Sequence, residues 1–310
     1  MDRISVVTPT LNRPAPLLRA LRSLMAQQNL AGLDLEIIVV DNSPDANARA
    51  AVAELAKASP FALHYLSEPR PGVANARNAG VAAARGRWVA FLDDDEEAAP
   101  DWLAHLTGIA RSRNADAVFG PVTARAEDGA KIGAFAPYFE RRILRADGAE
   151  ITDLAACLGT NNSLFHRESC FAAGLNFDPA LNESGGEDSL FLQRLVLVGK
   201  RFHFAENAGV LEWAPARRLT WAYVRKRKFL SGQIRVFVQD MARPGNRLTI
   251  ARWMAVGFVQ TALYGFGALL MLPFGATRRE TMAARAFGGL GKIFWGRRFR
   301  LRLYGRGLVS

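Results

Sequence analysis

Short apolar runs alternate with helical patterns along residues 4–92, and this alternation restricts the fold more than any other feature of the chain. Residues 4–8 read as a buried strand, and residues 14–27 as a helix with Leu17, Leu18, Leu21 and Leu24 on one face. Residues 35–40 predict a second strand, which ends on Asp41-Asn42-Ser43, and the Ala-rich residues 45–58 a second helix. A third strand over 62–66 precedes the loop Glu68-Pro-Arg-Pro-Gly72; a helix over 73–84 stops near Gly86, and 88–92 form a fourth strand. Such a chain predicts a doubly wound, mostly parallel α/β sheet, whose ligands lie beyond the carboxyl ends of the strands.

The fourth apolar run, Trp88-Val-Ala-Phe-Leu, stops on Asp93-Asp94-Asp95. Three adjacent carboxylates repel one another unless a cation sits among them. Pro100 suits the first turn of a helix opened by Asp101 and Trp102. A solvated acidic turn is the plain alternative, but Asp41 and the loops after Thr8 and Ser67 fall at the same sheet edge. Beyond it, residues 117–123 and 160–165 read as strands, Ser184-Gly-Gly-Glu-Asp leads into a helix reaching about Val198, and 210–213 form a closing strand. No Walker-type loop occurs, and no Gly-x-Gly-x-x-Gly follows the first strand. The histidines at 64, 105, 166 and 203 are scattered, which argues against a histidine metal site or a Ser-His-Asp triad.

Charge divides the chain. The formal net charge is +11, yet residues 217–310 carry 19 Lys and Arg against two acids, while residues 1–216 carry a net of −6. A mildly acidic domain is thus followed by a basic tail suited to nucleic acid or an anionic membrane leaflet. Cys157 and Cys170 show no zinc or disulfide spacing, which fits a reducing compartment. No signal peptide is expected before the first strand.

Five motifs then occur in a telling order: Val6-Val-Thr-Pro-Thr-Leu-Asn-Arg13, Ile37-Ile-Val-Val-Asp-Asn42, Gly72-Val-Ala-Asn-Ala-Arg-Asn-Ala-Gly80, Phe91-Leu-Asp-Asp-Asp95 and Gly185-Gly-Glu-Asp-Ser189. Over roughly residues 3–235 the chain resembles the family 2 glycosyltransferases. It is most similar to the succinoglycan-type glucosyltransferases, through Ala117-Val-Phe-Gly-Pro-Val122, Gly159-Thr-Asn-Asn162, Asn176-Phe-Asp-Pro-Ala180 and Arg218-Leu-Thr-Trp221. The resemblance implies a GT-A fold and inverting, metal-dependent transfer of one sugar from a nucleotide-sugar, UDP-linked by family habit. It implies that Asp95 binds Mn2+ or Mg2+, that Asp93 reaches the metal or the ribose with Asp94 beside it, and that Thr8, Pro9, Asp41 and Arg77 border the nucleotide. Asp188 becomes the general base and Glu187 its support. The bare residues leave other readings: Asp41 as a turn aspartate, Arg77 as a helix-surface charge, and Glu187-Asp188 as acids favouring a helix dipole. No Gln-x-x-Arg-Trp motif like that of processive synthases occurs, so single addition is expected.

The chain is read as a catalytic domain over residues 1–215, a basic helical extension over 216–252, and apolar and basic membrane-associating helices over 253–310. Residues 253–277 hold no charge, long enough for a span but interrupted by glycines and Pro273. A full crossing with the catalytic domain in the cytosol would put nine basic residues outside, against the positive-inside tendency. A re-entrant or interfacial hairpin bent near Pro273 is therefore preferred; a full span and a soluble or oligomer surface stay open. Arg225-Lys-Arg-Lys228 and Arg297-Arg-Phe-Arg-Leu-Arg302 would face anionic headgroups or a lipid-linked diphosphate. The expectation is a transferase at the cytoplasmic face of a bacterial inner membrane. Its acceptor is lipid-linked or an oligosaccharide, other polysaccharide-assembly proteins are candidate partners, and no nucleic acid is expected. The rivals are a nucleotidyltransferase making the nucleotide-sugar, and a non-enzymatic membrane or nucleic-acid binder.

Overall fold

The structure is a computed structural model that describes residues 2–301. The alternation is present: β1 (Asp2–Thr10), α1 (Pro14–Met25), β2 (Leu33–Asp41), α2 (Arg49–Ala56), β3 (Ala62–Ser67), α3 (Val73–Ala83) and β4 (Trp88–Phe91) follow in turn. β1 pairs in parallel with β2 and β4, and β2 with β3, so four carboxyl ends meet at one edge. Along β2, Leu35, Ile37 and Val39 enter a core with Leu17, Leu21 and Leu24 of α1, while Ile38 and Val40 enter the opposite one with Ala74 and Ala76 of α3. Burial on both faces is why β1, β2 and β4 read as apolar runs, while β3, at the sheet edge, stays partly exposed.

The α/β part continues through β5 (Glu96–Ala98), α4 (Trp102–Ser112), β6 (Ala117–Phe119), β7 (Val122–Ala126), β8 (Ser163–His166), α5 (Arg167–Phe171), α6 (Glu187–Leu197), β9 (Phe202–Phe204) and β10 (Val210–Ala214). The main sheet has the order β3-β2-β1-β4-β8-β6-β9, with β8 antiparallel to both neighbours, and β5-β10-β7 form a second sheet. Three expectations needed adjustment. The single strand over 117–123 is cut at Gly120-Pro121, and its halves join different sheets. Pro121 has no N–H for a ladder, and a Cβ on Gly120 would lie 2.0 Å from the carbonyl oxygen of Ala208. The strand over 160–165 shifts to Ser163–His166, because Arg141 holds the preceding loop. The helix over 45–58 starts only at Arg49, since Ala46 has a positive φ of 48° and the Ala48 N–H donates to Asp41.

The tail comprises α7 (Trp221–Ala242), α8 (Arg247–Leu270) and α9 (Ala276–Ile293). Phe237 and Val238 of α7 pack on Leu181 and on Leu190 of α6, joining tail to α/β part. The chain turns at Leu272–Phe274, around Pro273, so the bend falls where a hairpin was expected. α9 returns antiparallel to α8, with the Gln260 amide donating to the Arg285 carbonyl at 2.7 Å, and lies between α8 and α7. Glycines permit the close approach: a Cβ on Gly291 would lie 1.9 Å from the Phe229 carbonyl oxygen. Only Gly257 of α8 is buried, and Phe258, Leu263 and Phe266 are 61%, 63% and 62% exposed. Arg302, closing the second basic run, lies outside the described residues.

Candidate active site

The acid row sits in the turn between β4 and β5, at the carboxyl edge of the sheet. The side chain of Asp93 is 32% exposed, that of Asp94 6% and that of Asp95 10%, so the first opens outward while the other two are enclosed. Thr10 donates from Oγ1 to Asp94 at 2.7 Å, tying the row to the end of β1. Arg13 straddles two acids, donating to Asp94 at 2.8 Å and to Asp95 at 2.7 Å, and Arg218 donates to Asp95 at 3.3 Å. Burial lifts Asp94 to about 7, with Arg13 opposing and Asp95 adding to the rise. Burial likewise raises Asp93, helped by the charges of Asp95 and Asp188 and opposed by Arg77. At Asp95 burial also pushes upward, but Arg13 and Arg218 outweigh it and hold the carboxyl below its ordinary range.

Arg77 joins the row to α6. Its guanidinium donates to Glu187 at 2.5 Å and reaches Asp93 at 3.5 Å; the side chains of Arg77 and Glu187 are 7% and 6% exposed. The sequence places Arg77 through its neighbours. Asn78 exchanges two hydrogen bonds with the backbone of Phe177, and Asn182 Oδ1 accepts from the Ala74 N–H at the start of α3. Gly72, at φ 121°, must be glycine, because a Cβ would meet the Asn182 side chain at 2.0 Å. Gly185 and Gly186 both have positive φ, 71° and 93°, and this double left-handed turn delivers Glu187 and Asp188 to the first turn of α6. Burial and the Asp188 charge raise Glu187 to about 7 against the pull of Arg77. Gly159 stands beside Asp188: a Cβ there would lie 3.1 Å from Oδ2. Asp93–Asp95, Arg77 and Glu187-Asp188, spread over more than a hundred residues of sequence, form one constellation.

The donor set suits a hard divalent cation. It consists of carboxylate oxygens, and burial leaves Asp93 and Asp94 short of compensating positive charge. Among the described residues no three carboxylate, histidine or cysteine side chains converge into a ready cage. Magnesium-like ions commonly use one or two carboxylates and complete their shell with substrate phosphates and water.

At the end of β1, Thr8 is fully buried, its Oγ1 without a partner among the described residues, and Pro9 follows it toward the edge, level with Val40. Asp41 is fully buried too, and it organises a loop. Its carboxylate accepts from the Ser43 N–H at 2.9 Å, the Ala48 N–H at 3.0 Å and the Tyr65 hydroxyl at 2.8 Å. Burial works against the charge of Asp41, but these donors outweigh it and lower the pKa. Asn42 clamps the next loop, donating to the carbonyls of Glu68 and Arg70 and accepting from the Gly72 N–H.

Sequence reasoning gave no role to several residues found here. Arg13 and Arg218 lay inside recognised motifs, but nothing in their local pattern pairs them with acids 82 and 123 residues away. Arg141 donates to the carbonyls of Gly120, Gly159, Asn161 and Asn162, pinning the loop beside Asp188. Glu96 accepts from the Asp93 N–H at 3.0 Å and from Asn161 at 2.8 Å, which shapes the turn carrying the acid row.

Comparison with known proteins bears on the family and the fold. The sequence model described as "Glycosyl transferase family 2" matches residues 5–170. The chain is 32% identical over 283 residues to the "Succinoglycan biosynthesis protein ExoM" of Rhizobium meliloti (strain 1021), covering 91% of this chain and 89% of that protein. Among solved structures it is similar to the mannosyltransferase PcManGT from Pyrobaculum calidifontis, in complex with GDP-Man and Mn2+. That match has a TM-score of 0.63 at 22% identity and covers 95% of this chain and 87% of the other. It is also similar to S. aureus TarS 1-349 in complex with UDP, with a TM-score of 0.55 at 15% identity over 93% and 89% of the two chains. These likenesses show a GT-A-like fold. The chain belongs to glycosyl transferase family 2 and is a glycosyltransferase.

Proposed function

We propose that the protein transfers one sugar, with inversion, from a nucleotide-sugar to a lipid-linked acceptor during assembly of a bacterial surface polysaccharide. The observation that carries the reading is the bridge from Asp93 through Arg77 to Glu187, because it sets leaving-group chemistry and proton abstraction side by side. Asp95 and Asp93 would hold a divalent cation, Mn2+ or Mg2+, which when bound neutralises charge on the departing nucleoside diphosphate. Arg13 and Arg77 lend further positive charge along the same row. Thr8 and Pro9 border the base, and Asp41 acts by fixing the loop around it. Asp188 accepts the proton of the acceptor hydroxyl as its oxygen attacks the anomeric carbon from the face opposite the diphosphate. The anomeric C–O bond to the diphosphate breaks and its electron pair leaves with the phosphate oxygen. Glu187, locked by Arg77, steadies Asp188 and the acceptor.

The polysaccharide role rests on the succinoglycan relative. The donor is a nucleotide-sugar because the similar structures carry GDP-Man or UDP, and UDP is our choice for this chain. The tail supports a membrane setting. α8 is 24 residues long with a mean hydropathy of 1.4 in its most apolar stretch, only 6% of which is buried. We read α8 and α9 as a hairpin lying in the cytoplasmic leaflet of the inner membrane, apolar side down. Thermal-shift titration of UDP- and GDP-sugars with and without manganese tests the donor site. One donor should stabilise the protein only with metal present; a metal-independent response to every nucleotide would overturn the reading.

A further inference from the structure

We propose that Lys228, Arg227 and Arg285, with Tyr138, form a binding site for the diphosphate of an acceptor carried on a long apolar chain. The site deepens, and rests on, the transferase reading above. It lies where three elements meet: the turn Gly133–Tyr138 of the α/β part, α7, and α9. Two adjoining cavities of about 190 and 210 Å3 open there, and Tyr138 and Lys228 line both. Each has room for roughly six waters at liquid density, enough for linked phosphates. Arg227 and Tyr223 complete the first cavity, Arg285 and Thr281 the second.

Cations line both cavities. The Lys228 ammonium faces the Tyr138 ring at 5.2 Å and makes no ion pair among the described residues. Its pKa is lowered by burial and then by Arg227, Arg285 and Arg235, all of them cations. The neighbouring Arg225, by contrast, is paired with Glu280. A half-buried lysine with no ion pair costs stability until an anion joins it, and arginine and lysine are both common partners of phosphate oxygens. The recess also connects to the acid row: α7, which carries Arg227 and Lys228, begins just after Arg218, the residue that donates to Asp95. On the other side Arg285 lies over the ring of Tyr264 at 5.3 Å, and beyond Tyr264 runs the exposed apolar face of α8. A ligand seated here meets cations at its phosphates, the helix that leads to the acid row on one flank and an oily surface on the other. A free nucleotide or pyrophosphate would use only the first of these features; a lipid diphosphate uses all three.

The test uses the full chain with neutral phosphatidylcholine vesicles carrying a polyprenyl diphosphate or a charge-matched amount of phosphatidylglycerol. The diphosphate lipid should be bound about tenfold more tightly than phosphatidylglycerol, and inorganic pyrophosphate should abolish the difference. Lys228→Ala and Arg285→Ala should each fall to the phosphatidylglycerol level, while Lys57→Ala, on an exposed side chain of the α/β part, keeps the preference. Equal binding to both vesicle types would mean a general headgroup surface and overturn the proposal, as would an undiminished preference in Arg285→Ala. The pyrophosphate competition needs no variant, so it decides the matter even where Lys228→Ala fails to fold. Donor titration of the wild-type protein is a separate readout: no donor binding alongside an intact diphosphate preference would refute the transferase reading and leave this site standing.

Discussion

In the α/β part, buried acids share arginines: Arg77 lies between Asp93 and Glu187, and Arg13 between Asp94 and Asp95. In the tail, Lys228 sits among Arg227, Arg235 and Arg285, and the large apolar side chains of α8 face outward. The first region holds most of its counter-charges within the chain. The second leaves Lys228 without an ion pair among the described residues and turns its apolar surface outward. The difference teaches that the sheet edge meets much of its charge from within, whereas the tail has charge and apolar surface to offer a ligand.

Variants in either region should leave the other's property alone, and the largest effect on turnover belongs to the base. Asp188→Asn should lower kcat by about 100- to 10,000-fold while donor binding in thermal-shift titration stays intact; equal loss of both would remove Asp188 from its role. Next, Asp95→Asn should weaken manganese-dependent donor binding at least tenfold, about the cost of disturbing a metal's outer contacts, without changing vesicle binding. Arg77→Met leaves Glu187 buried beside Asp188 without its cation and should cost about 3–5 kcal/mol in denaturant unfolding. Adding Glu187→Gln should restore part of that loss; simple additivity of the two would show that the pair is not coupled. In the tail, Phe258→Ser with Leu263→Ser and Phe266→Ser should lose about 1.5–3 kcal/mol of vesicle partitioning per side chain, measured by co-sedimentation, with donor binding unaltered. The smallest effect concerns Asp41. Its folded pKa is depressed, so its stabilisation is present above the unfolded value of about 4 and fades as pH falls through the folded value. Asp41→Asn should therefore be about 1–2 kcal/mol less stable at neutral pH, with the gap to wild type closing in acid.

The parts legible in the sequence are those whose physics is local. β1, β2 and β4 announce themselves because both faces are buried, α1 because Leu17, Leu21 and Leu24 recur on one side, and the acid row because three consecutive aspartates are hard to explain otherwise. The double glycine before Glu187 is local in the same sense. Counter-charges are not local: Arg13, Arg141 and Arg218 look like any other surface arginine until the sheet brings them to the acids and carbonyls they serve. The split of residues 117–123 stayed hidden because the carbonyl that crowds Gly120 belongs to Ala208. Asp41 shows the converse: its motif was readable, but its engagement with Ser43, Ala48 and Tyr65 depends on a loop shape that spacing does not encode.

The glycine seam between α7 and α9 fixes more than a packing distance. Gly232, Gly288 and Gly291 bring the two backbones so near that neither helix can roll or slide without collision. α7 begins just after Arg218, the residue that touches Asp95, and α9 holds the hairpin carrying the outward-facing α8. Were α8 to rest in a leaflet, as proposed above, the seam would serve as a rigid stand-off setting the height of the reaction above the bilayer. Under that proposal the enzyme would measure its acceptor from the membrane upward as well as by its sugars.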